Sequence, residues 1–465
     1  MRPDSSPAHR RLSRRAFLEV GGAAFGGLTL ADLLRAEAAT GATASRKSVI
    51  LVHLDGGPPQ QDMIDLKPAA PVEIRGEFAP IDTSLAGFRI CELLPRLAAM
   101  ADRFAWVRSL VNSAGAHDAF QCQTGFRSQD LASFGGRPAM GSVVAKLAGR
   151  STDVAPPFVD LMQGRALVRD SARPGFLGPT FKPFRPDLDE LFARPLEPGM
   201  VGELSRKGAE HRVSLVLNES LDPGRLEDRN SLMRGLDQLR RDVDASGMMD
   251  AMDSFSRQAV SILTSGRFAE ALDLSRVPEA ELARYASGVR ETADWFRYND
   301  RPNATLKFLL ARRLIEAGVR VVSLSISDFD THGNNFRRMR QILPLFDHGL
   351  SALVADLEER GLLDDVSIVC WGEFGRTPKI NNNAGRDHWP QVAPAILAGG
   401  GLKVGQVIGA TDRLAATATE RPVTHKDIFA TVYRKLGIDP QKTTVTDPTG
   451  RPQFLLDEGE PIAEL

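Results

Sequence analysis

Cysteine is scarce in this chain. Cys91, Cys122 and Cys370 are the only three in 465 residues, too few and too scattered for a disulfide framework or a structural zinc site. Net charge is nearly absent as well: 58 basic side chains against 59 acidic ones leave −1, without the basic footprint of a nucleic-acid binder. Beyond the N-terminus there is no apolar run of the roughly 18 residues that a membrane span needs, so no transmembrane helix is expected in the mature chain. No internal repeat is present. What remains is 42% hydrophobic and 25% charged, the composition of a soluble globular protein with one large domain or two to three average ones.

The first residues differ from the rest. Ser13-Arg14-Arg15-Ala16-Phe17-Leu18 resembles a twin-arginine export signal, a glycine-rich apolar run follows, and Ala36-Glu37-Ala38 has the small-residue pattern of a cleavage site. Residues 1–38 are therefore expected to be a signal peptide read by the twin-arginine export machinery, with a periplasmic or extracellular destination for the remainder.

Strand and helix patterns then alternate. Strands are expected at Ser48–Asp55, Phe104–Leu110, Arg212–Leu217, Val319–Ser327, Val366–Trp371 and Pro394–Gly400, all short apolar runs ended by turn formers. The Ser48–Asp55 run is apolar almost throughout, as in a strand covered on both faces. Helices are expected at Ser113–Gly125, Phe336–Arg360 and His425–Ile438, the last ending at Gly437. A mainly helical block, 222–318, reads as an insertion or cap, and 171–200 as ordered loop. The pattern predicts an α/β fold: a mostly parallel sheet with helices on both faces and a helical insertion, followed by a tail at 441–465.

Open α/β sheets collect their sites at the C-terminal ends of the strands, and that is where the acids and histidines of this sequence fall. Asp55 ends the first strand. Asp328, Asp330 and His332 follow the strand ending at Ser327, and Glu373 follows the one ending at Trp371. A long polar stretch, GEFGRTPKINNNAGRDHWP, then runs to Asp387 and His388. Carboxylates with imidazoles suit Zn, Mn or Fe, and carboxylates alone suit Mg or Ca; the expected cofactor is one or more divalent ions, Zn, Mn or Ca. Two ions roughly 3.5–4 Å apart are a common device for cleaving phosphate esters. Arg376 and Arg386 have the fork geometry to clamp an anionic substrate, or alternatively brace the loop through carbonyls. His53 reads as a hydrogen-bonded core residue, His348 as packing or surface, His211 as solvated, and His425 as either a helix start or a site residue.

ILVHLDGGPPQQDMIDLKP (Ile50 to Pro68), THGNNF (Thr331 to Phe336), GEFGRTPKI (Gly372 to Ile380), GRDHWP (Gly385 to Pro390) and AGGGLKVGQVIGATD (Ala398 to Asp412) together resemble the family catalogued as domain of unknown function 1501. The resemblance covers essentially all of 47–440. It implies a more distant similarity to the alkaline phosphatase and sulfatase superfamily, hence an alkaline-phosphatase-like sheet and hydrolysis of a small-molecule or glycan phosphate or sulfate ester. Carried over residue by residue, it implies a first metal site of Asp328 or Asp330 with His332 and His388, and a second of Asp55 with Glu373. Phe374 stands where that pattern has a histidine or asparagine. Thr124-Gly125 matches the superfamily pair closing the nucleophile's helix, but counting back reaches Gly115; Ser113 and His117 are the nearest catalytic candidates. The expectations are attack by metal-bound hydroxide or by an unidentified nucleophile, or else an inactive exported binding protein of the same fold.

Overall fold

The computed structural model describes residues 47–465 apart from 151–152, 164–167, 169, 189–190, 193–194, 196–200 and 202–265. The signal peptide, the strand at Arg212–Leu217, His211 and most of the early part of the helical block lie outside the described residues.

The central sheet has eight strands: β1 (Ser48–Leu54), β2 (Phe104–Val111), β3 (Phe158–Leu161), β4 (Val321–Ile326), β5 (Val366–Trp371), β6 (Ala393–Gly399), β7 (Gln406–Ile408) and β8 (Val423–Thr424). Their order is β7-β2-β6-β5-β1-β4-β3, with β8 pairing with the end of β2. Among the described strands of this sheet, only β6 runs antiparallel to its neighbours. Every residue of β1 is buried, because side chains alternate across a strand and both faces are covered. Ile50, Val52 and Leu54 enter the core shared with helices α2 (Leu306–Glu316) and α3 (Asn335–Glu359). Val49 and Leu51 enter the opposite core, with α4 (His425–Lys435). Fully burying such a side chain contributes roughly 1.5–3 kcal/mol, so the alternation holds the register firmly.

That register positions the site. His53 pairs with Ser325 of β4 and Trp371 of β5. The turns after all three strands therefore emerge side by side, which brings Asp55, Asp330 and Glu373 to one edge. Gly56 sits at φ +106°, and a Cβ there would lie 2.2 Å from the Asp330 nitrogen. Only glycine lets the first turn pass so close beneath the other.

The helices meet expectation in part. The long helix and the last one form nearly as expected, and Thr424 and Asp427 close a capping box at the start of α4. Gly349 lets α3 lie against Phe308 of α2, since a Cβ would come within 2.3 Å of that ring. Of Ser113–Gly125 only α1 (Phe120–Thr124) is helical. Gly115 at φ +74° breaks the earlier part, and the Asp118 carboxylate accepts the Phe120 N–H at 3.0 Å, starting the helix late. After the helix Glu279–Tyr285, residues 286–301 are irregular, with Gly288 at φ +69°. At the end of the helical block, α2 buries Phe308, Leu309, Leu310 and Leu314 in the main core. Residues 441–465 carry a hairpin, Thr444–Thr446 with Pro452–Phe454, and bury Val445, Leu455, Leu456, Ile462 and Leu465 in the α4-side core. No described helix is long and apolar enough to cross a membrane.

Candidate metal centre

Two groups of donor side chains form at the strand ends. The outer group is His117, Asp330, His332 and His388; the inner is His53, Asp55 and Glu373. Within each, one ligand atom per residue can be chosen so that all lie within 4.8 Å of one another.

Asp330 is the hub of the outer group. Its Oδ1 lies 3.1 Å from His332 Nε2, 3.6 Å from His388 Nε2 and 2.6 Å from Arg376 Nη2. Its Oδ2 lies 3.1 Å from His117 Nε2. All three histidines thus turn Nε2 toward one carboxylate, and His332 and His388 bring theirs to 3.0 Å of each other. Burial pushes the Asp330 carboxyl upward, but the hydrogen bonds from His117, His332 and His388 outweigh it and hold it far below its ordinary value. Burial likewise pulls His117 down, yet the carboxylates of Asp330 and Glu373 raise it to about 9. Its proton supplies positive charge between two carboxylates, the place a cation would take.

The long polar stretch folds on itself to present these groups. Gly375-Arg376 pairs with His388-Trp389 as a short antiparallel ribbon. Asp387 Oδ1 lies 2.6 Å from His332 Nδ1, so a carboxylate backs the imidazole and fixes which nitrogen faces the centre. The Asn381 side chain braces that pair. It donates to the His332 carbonyl at 3.0 Å and to Asp387, and accepts from the N–H groups of Asn383 and Gly385. Phe374 packs its ring 4.3 Å from His388 and 5.2 Å from His117, walling the group on one side.

The inner group is sealed. Glu373 Oε2 lies 3.2 Å from His53 Nε2, and both side chains are 1% exposed. Asp55 accepts a hydrogen bond from Ser327 Oγ at 3.0 Å. Burial raises the Glu373 carboxyl, and the neighbouring imidazoles of His117 and His53 more than reverse the effect, leaving it well below its usual range. Among the described residues, His53 Nδ1 and Nε2 and Glu373 Oε2 are buried without a well-formed hydrogen bond. Buried polar atoms left so are rare and costly. A divalent cation would satisfy Nε2 and the carboxylate oxygen together, so this donor set fits a metal.

Several expectations change here. Arg376 and Arg386 are fully buried and brace the loop, the alternative to a substrate clamp. Arg376 donates to the carbonyls of Gly56, Gly57 and Arg386 as well as to Asp330. Arg386 forms a bidentate pair with Asp62, at 2.7 and 2.9 Å, and donates to the carbonyls of Ile74, Thr377 and Pro378. Their nitrogens are spent on the protein. Asp328 joins neither donor group. It accepts the Asp330 N–H at 2.8 Å and pairs with Arg338 Nη2 at 3.0 Å, shaping the turn. Ser113 is buried, and its hydroxyl has no hydrogen bond among the described residues.

His117 joins the outer group as a donor, a different part from that of nucleophile. His53 is the residue that sequence reasoning placed in the core. The available signal was its position two before Asp55, which turns both side chains to the same face of the strand. Its imidazole joins the inner group. His425, wholly buried beside the Trp371 ring, is pushed down to about 4 by burial and stays neutral.

Residues 46–465 match the family described as "Protein of unknown function (DUF1501)". The chain belongs to this family. For the DUF1501 chain, no curated protein matches in sequence. Similar solved structures include the lipoteichoic acid synthase LtaP from Listeria monocytogenes, at 10% identity and TM-score 0.36, covering 89% of this chain and 88% of that one. The PsFucS1 sulfatase from Pseudoalteromonas sp. aligns at 12% identity and TM-score 0.35, over 88% and 70%. A TAB5 alkaline phosphatase mutant with Mg bound in its M3 site aligns at 9% identity and TM-score 0.36, over 84% and 99%.

Proposed function

We propose that this DUF1501 protein is an exported, metal-dependent hydrolase of phosphate or sulfate esters, small-molecule or glycan. The observation that carries the reading is the convergence of two donor groups at the ends of three adjacent strands, one open and one sealed. The outer group offers three imidazoles and one carboxylate, a donor set that favours Zn or Mn over Ca. A divalent cation held there supplies Lewis acidity to an ester oxygen and lowers the pKa of water.

The remaining work belongs to the chain. His117, His332 and His388 each direct Nε2 at the centre, and Asp387 holds the His332 tautomer. Arg376 offsets part of the Asp330 charge. Phe374 keeps water from one side. Among the described residues no cysteine belongs to either group and the Ser113 hydroxyl has no hydrogen bond to one, so water is the attacking group in this reading. The same observation, with both arginines committed to the protein, favours a second reading: an exported protein of this fold that binds metal and an anionic partner without turning it over.

The test is the metal content of protein purified from its exporting host, beside a His332→Ala, His388→Ala variant, followed by a screen of phosphate and sulfate esters. More metal in the wild type than in the variant, with turnover of an ester, supports the hydrolase. Metal without turnover of any ester supports the binder. Absence of metal from both forms sinks the metal-dependent reading. Export rests on Arg14 and Arg15; replacing both by lysine is expected to keep the protein in the cytoplasm, as cell fractionation would reveal.

A further inference from the structure

His117 stands on the boundary between the two groups. Its Nε2 lies 3.1 Å from Asp330 of the outer group, and its Nδ1 lies 3.0 Å from Glu373 Oε1 of the inner group. Glu373 is divided in the same way. Its Oε1 accepts the Gly56 N–H at 3.0 Å and meets His117, while its Oε2 faces His53. A carboxylate that accepts the far N–H of a ligating imidazole fixes its tautomer and raises its basicity.

We propose, resting on the metal-binding reading above, that His117 and Glu373 couple the two centres. His117 ligates the outer cation through Nε2 and donates its Nδ1–H to Glu373. Glu373 is therefore an inner ligand and, at the same time, a positioning residue for the outer centre. Loading the inner centre weakens the outer one for two reasons. A cation on Glu373 draws charge from the carboxylate that supports His117, and two like charges a few ångströms apart repel. Asp387 performs the same service for His332, but its side chain is 51% exposed and belongs to neither donor group. The coupling therefore runs through His117.

Cobalt(II) titration of the metal-free full chain tests this, read by visible absorption and calorimetry. Wild type is expected to take up two ions, the first filling the outer centre and the second filling the inner one with loss of outer affinity of about 5- to 150-fold, the usual span of such coupling. His53→Gln removes an inner ligand and leaves the His117–Glu373 bond; it should bind one ion with the first-step affinity of wild type. Glu373→Gln should also bind one ion, about 10–100-fold more weakly than His53→Gln, with a shifted outer absorption band. Where circular dichroism shows that the glutamine variant fails to fold, Glu373→Asp keeps the charge, shortens the reach and should show the same weakening. Equal outer affinities in the His53 and Glu373 variants overturn the coupling while leaving two metal centres standing. A wild-type chain that takes up no cobalt overturns the metal-binding reading as well.

Discussion

The outer and inner groups sit against the same three strand ends and are built in opposite ways. The outer one is rich in imidazole and open: His332 is 49% exposed and His388 28%. The inner one is rich in carboxylate and closed, with His53 and Glu373 each 1% exposed. The outer donors come from loops, the region after β2, the segment before α3 and the return of the long polar stretch. The inner donors sit on or just past β1 and β5, fixed by the sheet itself. An open group of loop donors can meet a substrate but needs bracing, and Asp387, Asn381 and the two buried arginines provide it. A sealed group on strands needs no bracing, but meets substrate only through its neighbour.

The contrast breaks most completely when the outer donors are removed. His332→Ala with His388→Ala is expected to abolish outer binding and leave the inner group intact, so that bound metal falls from two ions to one by elemental analysis. Ester turnover should fall about a hundredfold or more, since an ion contributes several kcal/mol of charge stabilisation. Two ions retained in this variant would place the outer centre elsewhere.

Arg386→Ala strikes the bracing. It leaves the Asp62 carboxylate buried without its bidentate partner, a change that typically costs about 3–5 kcal/mol. Urea denaturation should show the loss. A stability within experimental error of wild type would mean that the loop holds its shape without this pair.

Asp387→Asn is milder. The loop stays, but His332 loses the charge behind its ring, and outer metal affinity should drop about 10–100-fold, with inner affinity unchanged. Calorimetry distinguishes the two centres, and a matching loss at the inner one would show that the braces serve both.

Ser113→Ala is expected to do least. A buried hydroxyl without a partner can be removed at little or no cost in stability, and neither metal content nor turnover should change. A collapse of turnover with metal content intact would make Ser113 the attacking group and displace water from that role.

How far the site was legible depends on the kind of contact. Asp55, Asp330 and Glu373 stand directly after apolar runs whose strand character is written locally, and the tendency of strand ends to gather functional groups singled them out. Asp330 could not be told from Asp328 in the sequence. Both follow β4, and only the turn decides that Asp328 faces Arg338 while Asp330 faces the histidines. Arg376 and Arg386 looked like substrate clamps because a guanidinium carries no mark of which carbonyls will surround it. The helical pattern of Ser113–Gly125 hid the loop that delivers His117.

The sequence alone determined the alternation of apolar strands and amphipathic helices, the acids at the strand ends and the likeness to a family, since each is a property of residues close together in the chain. Tertiary structure decided which donors share a centre. The Gly56 N–H and the Glu373 carboxylate that accepts it are 317 residues apart, and His117 reaches Glu373 across 256. Such meetings depend on strand order and register, which are set by the packing of the whole sheet.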